Sequence, residues 1–265
     1  MADITARNLR LDFGDSIDLD SVADEDIDLV MGVLSLSLTM PYLEPYLIRS
    51  MKIALPKIND PALAQDVRLF SQQESHHFRN HALLNQRIRE AFDSSTARHI
   101  QTIESELEAD YQRFSREKPL RWNLAYAEGF EAMTCSVALA AAEGGFLDRP
   151  DLPGGEIWAW HMAEEIEHRT VAFEVFDYLV GHYAYRLLFG TRAQWHYLSY
   201  LFRFSRCMDQ ALRRPERTRQ RPAISASFGR HYLRTWSPRY HPAKVPIPAG
   251  VAEALDGFSA RLQSA

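Results

Sequence analysis

The sequence predicts an all-α protein, a four-helix bundle with additional helices and an irregular, Pro-rich C-terminal tail. Three observations predict it. From residue 24 to about 213 apolar residues recur at helical spacing and strand-like alternation is scarce. Gly and Pro fall at the ends of those segments. Two of the segments carry a Glu-x-x-His pair, which has a use only where both residues share a helical face. A chain of 265 residues, 46% apolar and 25% charged, can bury one sizeable core. The expected organisation is a lead-in over 1–23, a helical domain over 24–214 and a tail over 215–265 that packs on the bundle.

The first segment runs from Asp24 to Ala54 and contains Pro41 and Pro45, each expected to bend or split it because proline removes a backbone donor and crowds the preceding turn. Asp60-Pro61 supplies a cap followed by proline at the first helical position and opens a helix to Phe92. Ser94 or Ser95 caps the next, which reaches Glu117 with a polar surface of Glu104, Glu106, Glu108 and Asp110. Lys118-Pro119 starts an alanine-rich helix that ends at Gly144-Gly145. A loop from Leu147 to Gly155 leads to a helix over Glu156–Val180. Gly181 and Gly190 bracket a weak break before a last helix to Arg214. Six prolines after Arg214 exclude a long helix there, although a short one over Ala249–Leu262 fits.

Charge and composition exclude several functions. A net charge of −5 gives no reason to expect nucleic acid. Eight acidic residues and no basic one lie between Asp12 and Asp28, and seven arginines face two acids between Arg203 and Arg221; both stretches read first as solvated, the second alternatively as a dock for an acidic surface. Cys135 and Cys207 form neither a disulfide framework nor a thiolate site. No signal peptide and no apolar run long enough to span a bilayer is apparent, so a cytoplasmic protein is expected. There is no glycine-rich phosphate loop and no nucleophile elbow.

The chemistry lies in Glu74-Ser75-His76-His77 and Glu165-Ile166-Glu167-His168. One pair is weak evidence in a chain with 35 acids and 10 histidines. Two pairs gain weight when each has a lone glutamate at its own height on the preceding helix, as in two-metal carboxylate bundles. Glu44 and Glu74 lie roughly 15 and 18 Å from their shared turn, Glu131 and Glu165 roughly 20 and 15 Å from theirs, at 1.5 Å per residue. Both lone glutamates sit among apolar neighbours (Leu43, Tyr46 and Leu47; Phe130, Met133 and Val137), where an unpaired carboxylate is costly and a metal pair balances its charge. His161, four residues before Glu165, and His81, four after His77, are a further ligand or a group that orients one. Glu128, one turn before Glu131, is its rival. His76 turns away from the site, and His99, His182, His196, His231 and His241 have no acidic partner at ligand spacing. The bland alternative for Glu164, Glu165 and Glu167 is a solvated face paired with Arg169.

Gln73-Glu74-x-x-His77-x-x-x-His81, Glu131-x-x-Thr134 and Trp160-His161-x-x-Glu164-Glu165-x-Glu167-His168, followed by Val171-Ala172-Phe173, resemble a bacterial family of predicted metal-dependent hydrolases. The resemblance spans roughly residues 35–243, including Arg239-Tyr240-His241-Pro242. It implies a ferritin-like bundle with ligands at Glu74, His77, Glu131, Glu165 and His168. The His161-x-x-x-Glu165-x-x-His168 stripe is also similar to that of the di-iron arylamine N-oxygenases, where the extra histidine is a ligand.

The metal set expected is Glu44, Glu74, His77, Glu131, His161, Glu165 and His168, with His81 and Glu128 as additional candidates. It would hold two metal ions, iron first, with manganese or zinc as alternatives. The leading expectation is a dioxygen-activating oxidase or oxygenase of a small organic substrate that enters near Tyr42, Tyr46, Phe130 and Met133. A two-metal hydrolase is the alternative, and a non-catalytic metal-binding bundle the third reading. The expected partner is a small molecule, with a homodimer left open beside the monomer.

Overall fold

The computed structural model describes residues 4–212 and 226–264, among which there is no strand. The α-helices are α1 (Ile27–Ser37), α2 (Met40–Ala54), α3 (Pro61–Glu90), α4 (Ser94–Glu117), α5 (Leu120–Glu143), α6 (Gly155–His168), α7 (Val171–Leu179), α8 (Tyr183–Ala211), α9 (Ala226–Thr235) and α10 (Val251–Ser264). Helix α2 turns through Leu55–Lys57 to pack on α3, and α5 turns through Phe146–Asp148 to pack with α6. These two hairpins enclose the site. Helix α8 runs along α5, and α4 closes the far side against α2 and α8.

Local sequence explains several helix ends. Asp60 accepts from the backbone N–H groups of Ala62 and Leu63, and Pro61 costs nothing at a position whose N–H has no partner anyway. The cap of α4 is Asp93, not Ser94 or Ser95: its Oδ1 accepts from Ser95 and Thr96. Of the two prolines expected to interrupt the first segment, neither ends a helix. The chain bends by 44° between α1 and α2, just before Pro41, which then occupies the first turn of α2. Pro45 stays inside α2, held by the burial of Leu43, Tyr46 and Leu47 around it.

Three further differences have packing causes. The helix expected over Glu156–Val180 is two, α6 and α7, parted at Arg169-Thr170, where the Arg169 guanidinium takes the Ile166 carbonyl at 2.6 Å and closes the end of α6. The break expected at Gly190 is absent, and α8 runs straight through it. A Cβ on Gly129 would lie 2.2 Å from Gly190 Cα, so both glycines serve the close approach of α5 and α8. In the tail, α10 falls near the expected short helix and α9 was not foreseen. Arg214, with the arginine stretch from Arg213 to Arg221, lies outside the described residues.

The acidic residues of the lead-in from Asp12 to Glu25 are exposed, as expected of a solvated stretch, while apolar residues before and between them pack inward. Ile4, Leu9, Leu11, Leu19 and Val22 are buried against the bundle, and Asp26 pairs with Arg149 at 2.8 Å. No single described helix is long and apolar enough to cross a membrane.

Candidate metal centre

Helix α2 contributes Glu44, α3 contributes Glu74, His77 and His81, α5 contributes Glu131, and α6 contributes His161, Glu165 and His168. All are buried in the middle of the two hairpins. Their donor atoms gather around neighbouring points. Around one, single donor atoms of Glu44, Glu74 and His77 lie within 4.8 Å of one another; around a second, those of Glu74, Glu131, Glu165 and His168 do, and those of Glu44, His81 and His161 form a third such group. Glu74 belongs to both. Glu165 also faces two ways, with Oε1 2.9 Å from His161 Nε2 and Oε2 3.6 Å from His168 Nε2. His161 Nε2 lies 3.7 Å from Glu44 Oε1.

Among the described residues, both oxygens of Glu44, both of Glu74, Oε1 of Glu131, Nδ1 of His77 and Nε2 of His168 are buried without a hydrogen-bond partner. Buried polar atoms are ordinarily paired, so this many orphans aimed at one place need a shared partner. Hard oxygen and imidazole donors, free of thiolate, suit divalent cations such as iron, manganese or zinc. The residues present therefore fit metal ions.

The surrounding hydrogen bonds set which ring nitrogen faces inward. Gln73 Nε2 donates to Glu167 Oε2 at 2.6 Å and to the Thr5 carbonyl at 3.0 Å, which leaves Gln73 Oε1 to accept from His168 Nδ1 at 2.9 Å. His168 therefore turns Nε2 toward carboxylates at 3.4, 3.5 and 3.6 Å. Against the effect of burial these raise its pKa well above the usual value, so a metal bound there would displace a proton. His77 Nε2 donates to Glu164 Oε2 at 2.8 Å, leaving Nδ1 for the interior. Asn85 Nδ2 donates to the Ser37 carbonyl, so Asn85 Oδ1 takes the Ser37 hydroxyl at 2.7 Å. The Ser37 oxygen then accepts from His81 Nδ1 at 2.8 Å, and His81 Nε2 accepts from His161 Nδ1 at 2.8 Å. Both nitrogens of His81 are thereby engaged, and His161 Nε2 is turned to the carboxylates.

The charges are mutually strained. Burial, then the charges of Glu74, Glu165 and Glu131, pushes the Glu44 carboxyl well above its usual range. Glu74 rises for the same reasons, with His168 opposing. Burial and the Glu165 charge push Glu131 up to about 7. Burial also works against charge on Glu165, yet the adjacent imidazoles of His161 and His168 hold it below the usual carboxylate range. Burial and the neighbouring His161 and His168 press His77 toward the neutral form that a ligand needs.

Other candidates lie elsewhere. Glu128 is buried and held by Arg186 at 2.8 Å, facing α8 and not the cluster. His231 and His196 do have acidic partners, Glu143 at 3.0 Å and Asp110 at 3.1 Å, which spacing along one helix could not reveal. The Cys135 thiol is pushed up to about 12 by burial and by Glu165. Glu164 and Glu167 form no solvated face. Their cation is Arg7 of the lead-in, while Arg169 bonds the carbonyls of Ile166 and Pro242. Sequence reasoning missed Arg7, Gln73, Ser37, Asn85 and Tyr197 as parts of the site; only Gln73 had a signal, its place beside Glu74.

A cavity of about 130 Å³ opens beside Glu165 and His161, walled by apolar side chains including Met40, Met133, Val137 and Leu201. Its other polar groups are the hydroxyls of Thr134, which donates to Glu165 Oε2 at 3.1 Å, and of Tyr197, 3.3 Å from Thr39 Oγ1. Met133 thus lines the cavity, whereas Tyr46 stacks on Tyr111, with ring centroids 4.9 Å apart.

A search of curated proteins and one of solved structures each returned no match. The family model described as "Predicted metal-dependent hydrolase" matches residues 5–245, which span all four helices of the cluster. The chain belongs to the family of predicted metal-dependent hydrolases.

Proposed function

We propose that the protein is a two-metal hydrolase of a small substrate carrying a compact apolar group. The observation that carries this is the convergence of orphaned carboxylate and imidazole atoms from four helices, in a chain of this family. Glu44, Glu74, His77 and His161 would hold one ion, and Glu131 and His168 the other, with Glu74 and Glu165 shared. Two divalent ions supply Lewis acidity and lower the pKa of water.

The chain's own residues do the rest. The cavity is close to the ~150 Å³ of an apolar cavity that accepts benzene, so a ring or a short branched alkyl group fits it. Burial, with the Thr39 hydrogen bond opposing it, holds the Tyr197 hydroxyl pKa well above its usual value. Tyr197 therefore keeps its proton and stays a neutral group in the cavity wall. Thr134 fixes the orientation of Glu165. The apolar walls exclude bulk water from the reacting bond.

A second reading, oxidation by dioxygen, is favoured by one feature. A glutamate from one helix and Glu-x-x-His from the next, twice over, is the pattern of ferritin-like di-iron and di-manganese bundles. One experiment separates the two. Protein purified without chelators is assayed for metal, then for cleavage of phenyl and benzyl esters and amides with and without oxygen. The hydrolase reading expects two ions per chain and oxygen-independent cleavage that Glu165→Ala abolishes. Oxygen uptake with an oxygen-dependent absorption band, and no cleavage, would refute it in favour of oxidation.

A further inference from the structure

The lead-in places one guanidinium behind the centre. Arg7 is 4% exposed and 157 residues from the nearer of its two acidic partners. Its NH1 donates to Glu164 Oε1 at 3.0 Å, to Glu167 Oε2 at 2.9 Å and to the Thr5 carbonyl at 2.9 Å. Its NH2 donates to Glu167 Oε1 at 3.0 Å, and its Nε to Ser259 Oγ of α10 at 2.8 Å. From these two carboxylates two chains lead inward. Glu164 Oε2 accepts from His77 Nε2, and Glu167 Oε2 accepts from Gln73, whose own oxygen accepts from His168 Nδ1. The segment is clamped in place: Leu11 N–H donates to Asn80 Oδ1, and Asn80 Nδ2 donates to the Leu9 carbonyl.

We propose that Arg7 is a positioning residue for both halves of the metal centre, so that the N-terminal segment sets metal affinity from outside the helical bundle. This rests on the metal reading of Glu44, Glu74 and their neighbours. One bidentate fork holds Glu167, and one arm holds Glu164; Glu164 directly, and Glu167 through Gln73, each fix the ring plane and the inward nitrogen of one histidine. Removing the guanidinium leaves two buried carboxylates one turn apart without their cation, and the partners that orient the histidines, Glu164 and Gln73, lose what anchors them. Lysine keeps the charge but cannot span the two carboxylates with a planar fork.

The test uses the full chain, stripped with a chelator and titrated with Zn²⁺ and with Mn²⁺ against a chromophoric competitor. Arg7→Met is expected to weaken both ions by about 10–100-fold, the range for loss of a group that orients a metal ligand. Arg7→Lys should weaken both by less. Gln73→Met should weaken one ion only, because it cuts the chain to His168 and leaves that to His77. The exposed Arg10, changed to Met, should leave both affinities unaltered. Parental affinity for both ions in Arg7→Met overturns the proposal, even if the variant melts at lower temperature. Should Arg7→Met fail to fold by circular dichroism, Arg7→Lys and Gln73→Met decide by the same titration, and parental affinities in both overturn it. A parent chain that takes up no metal overturns the metal reading itself, and this one with it.

Discussion

Glu44→Met is expected to stabilise the metal-free protein while weakening its hold on metal. Glu44 is 1% exposed and neither of its oxygens has a hydrogen-bond partner among the described residues. Burial and three neighbouring carboxylates raise its pKa well above the usual range, which favours the neutral carboxyl when no metal is bound. A buried neutral polar group without partners costs about 1–3 kcal/mol, and methionine fills a similar volume without it, so a gain of about 2 kcal/mol follows. At about 2.1 cal/mol/K per residue the unfolding entropy of this chain is about 0.55 kcal/mol/K, so the melting temperature should rise by about 4 °C. With metal in excess the order reverses, because each ion held at 100 times its Kd adds about 2.7 kcal/mol to the parent. Differential scanning calorimetry with EDTA and then with excess Zn²⁺ checks both halves. A metal-free variant less stable than its parent would show that Glu44 is a satisfied core residue, and the reasoning from orphaned oxygens would fail.

Further outcomes follow from the same geometry. Glu165→Gln should reduce both ions in metal analysis, since its two oxygens face different histidines; loss of one ion with full retention of the other would show that it is not shared. Metal affinity should fall as pH drops: Glu131 takes up a proton near 7, metal must displace it, and binding weakens about tenfold per unit below that pH for each proton displaced. Competitive titration between pH 5.5 and 8 reads this, and a flat profile would contradict it. Gly129→Ala should cost about 3 kcal/mol, or about 5 °C in melting temperature, because its Cβ meets the backbone of Gly190 and not a side chain that could turn aside. An unchanged melting temperature would mean that α5 and α8 part freely.

Much of the site was legible in the sequence because helical periodicity is local. Three-residue spacing puts Glu74 with His77, and Glu165 with His168, on one face whatever the rest of the chain does. The rise per residue brings Glu44 level with Glu74 once a short turn reverses the chain. Helix caps were readable for the same reason, although Asp93 took a role that Ser94 or Ser95 could equally have filled. Gly190 shows the limit. A glycine in a helical stretch reads as a break, and only the partner helix reveals that it is a point of contact.

What the sequence determined by itself is therefore the helical class, the hairpin arithmetic and a set of glutamates and histidines that share faces. These follow from short-range geometry and need no knowledge of which helix meets which. Tertiary structure alone decided that Arg7 stands behind Glu164 and Glu167, that Arg186 claims Glu128, and that Ser37 and Asn85 fix the tautomers of His81 and His161. Those assignments join residues tens to more than a hundred positions apart. Their strength depends on burial, which turns an ordinary surface pair into an oriented partner and an ordinary glutamate into one that must find a cation.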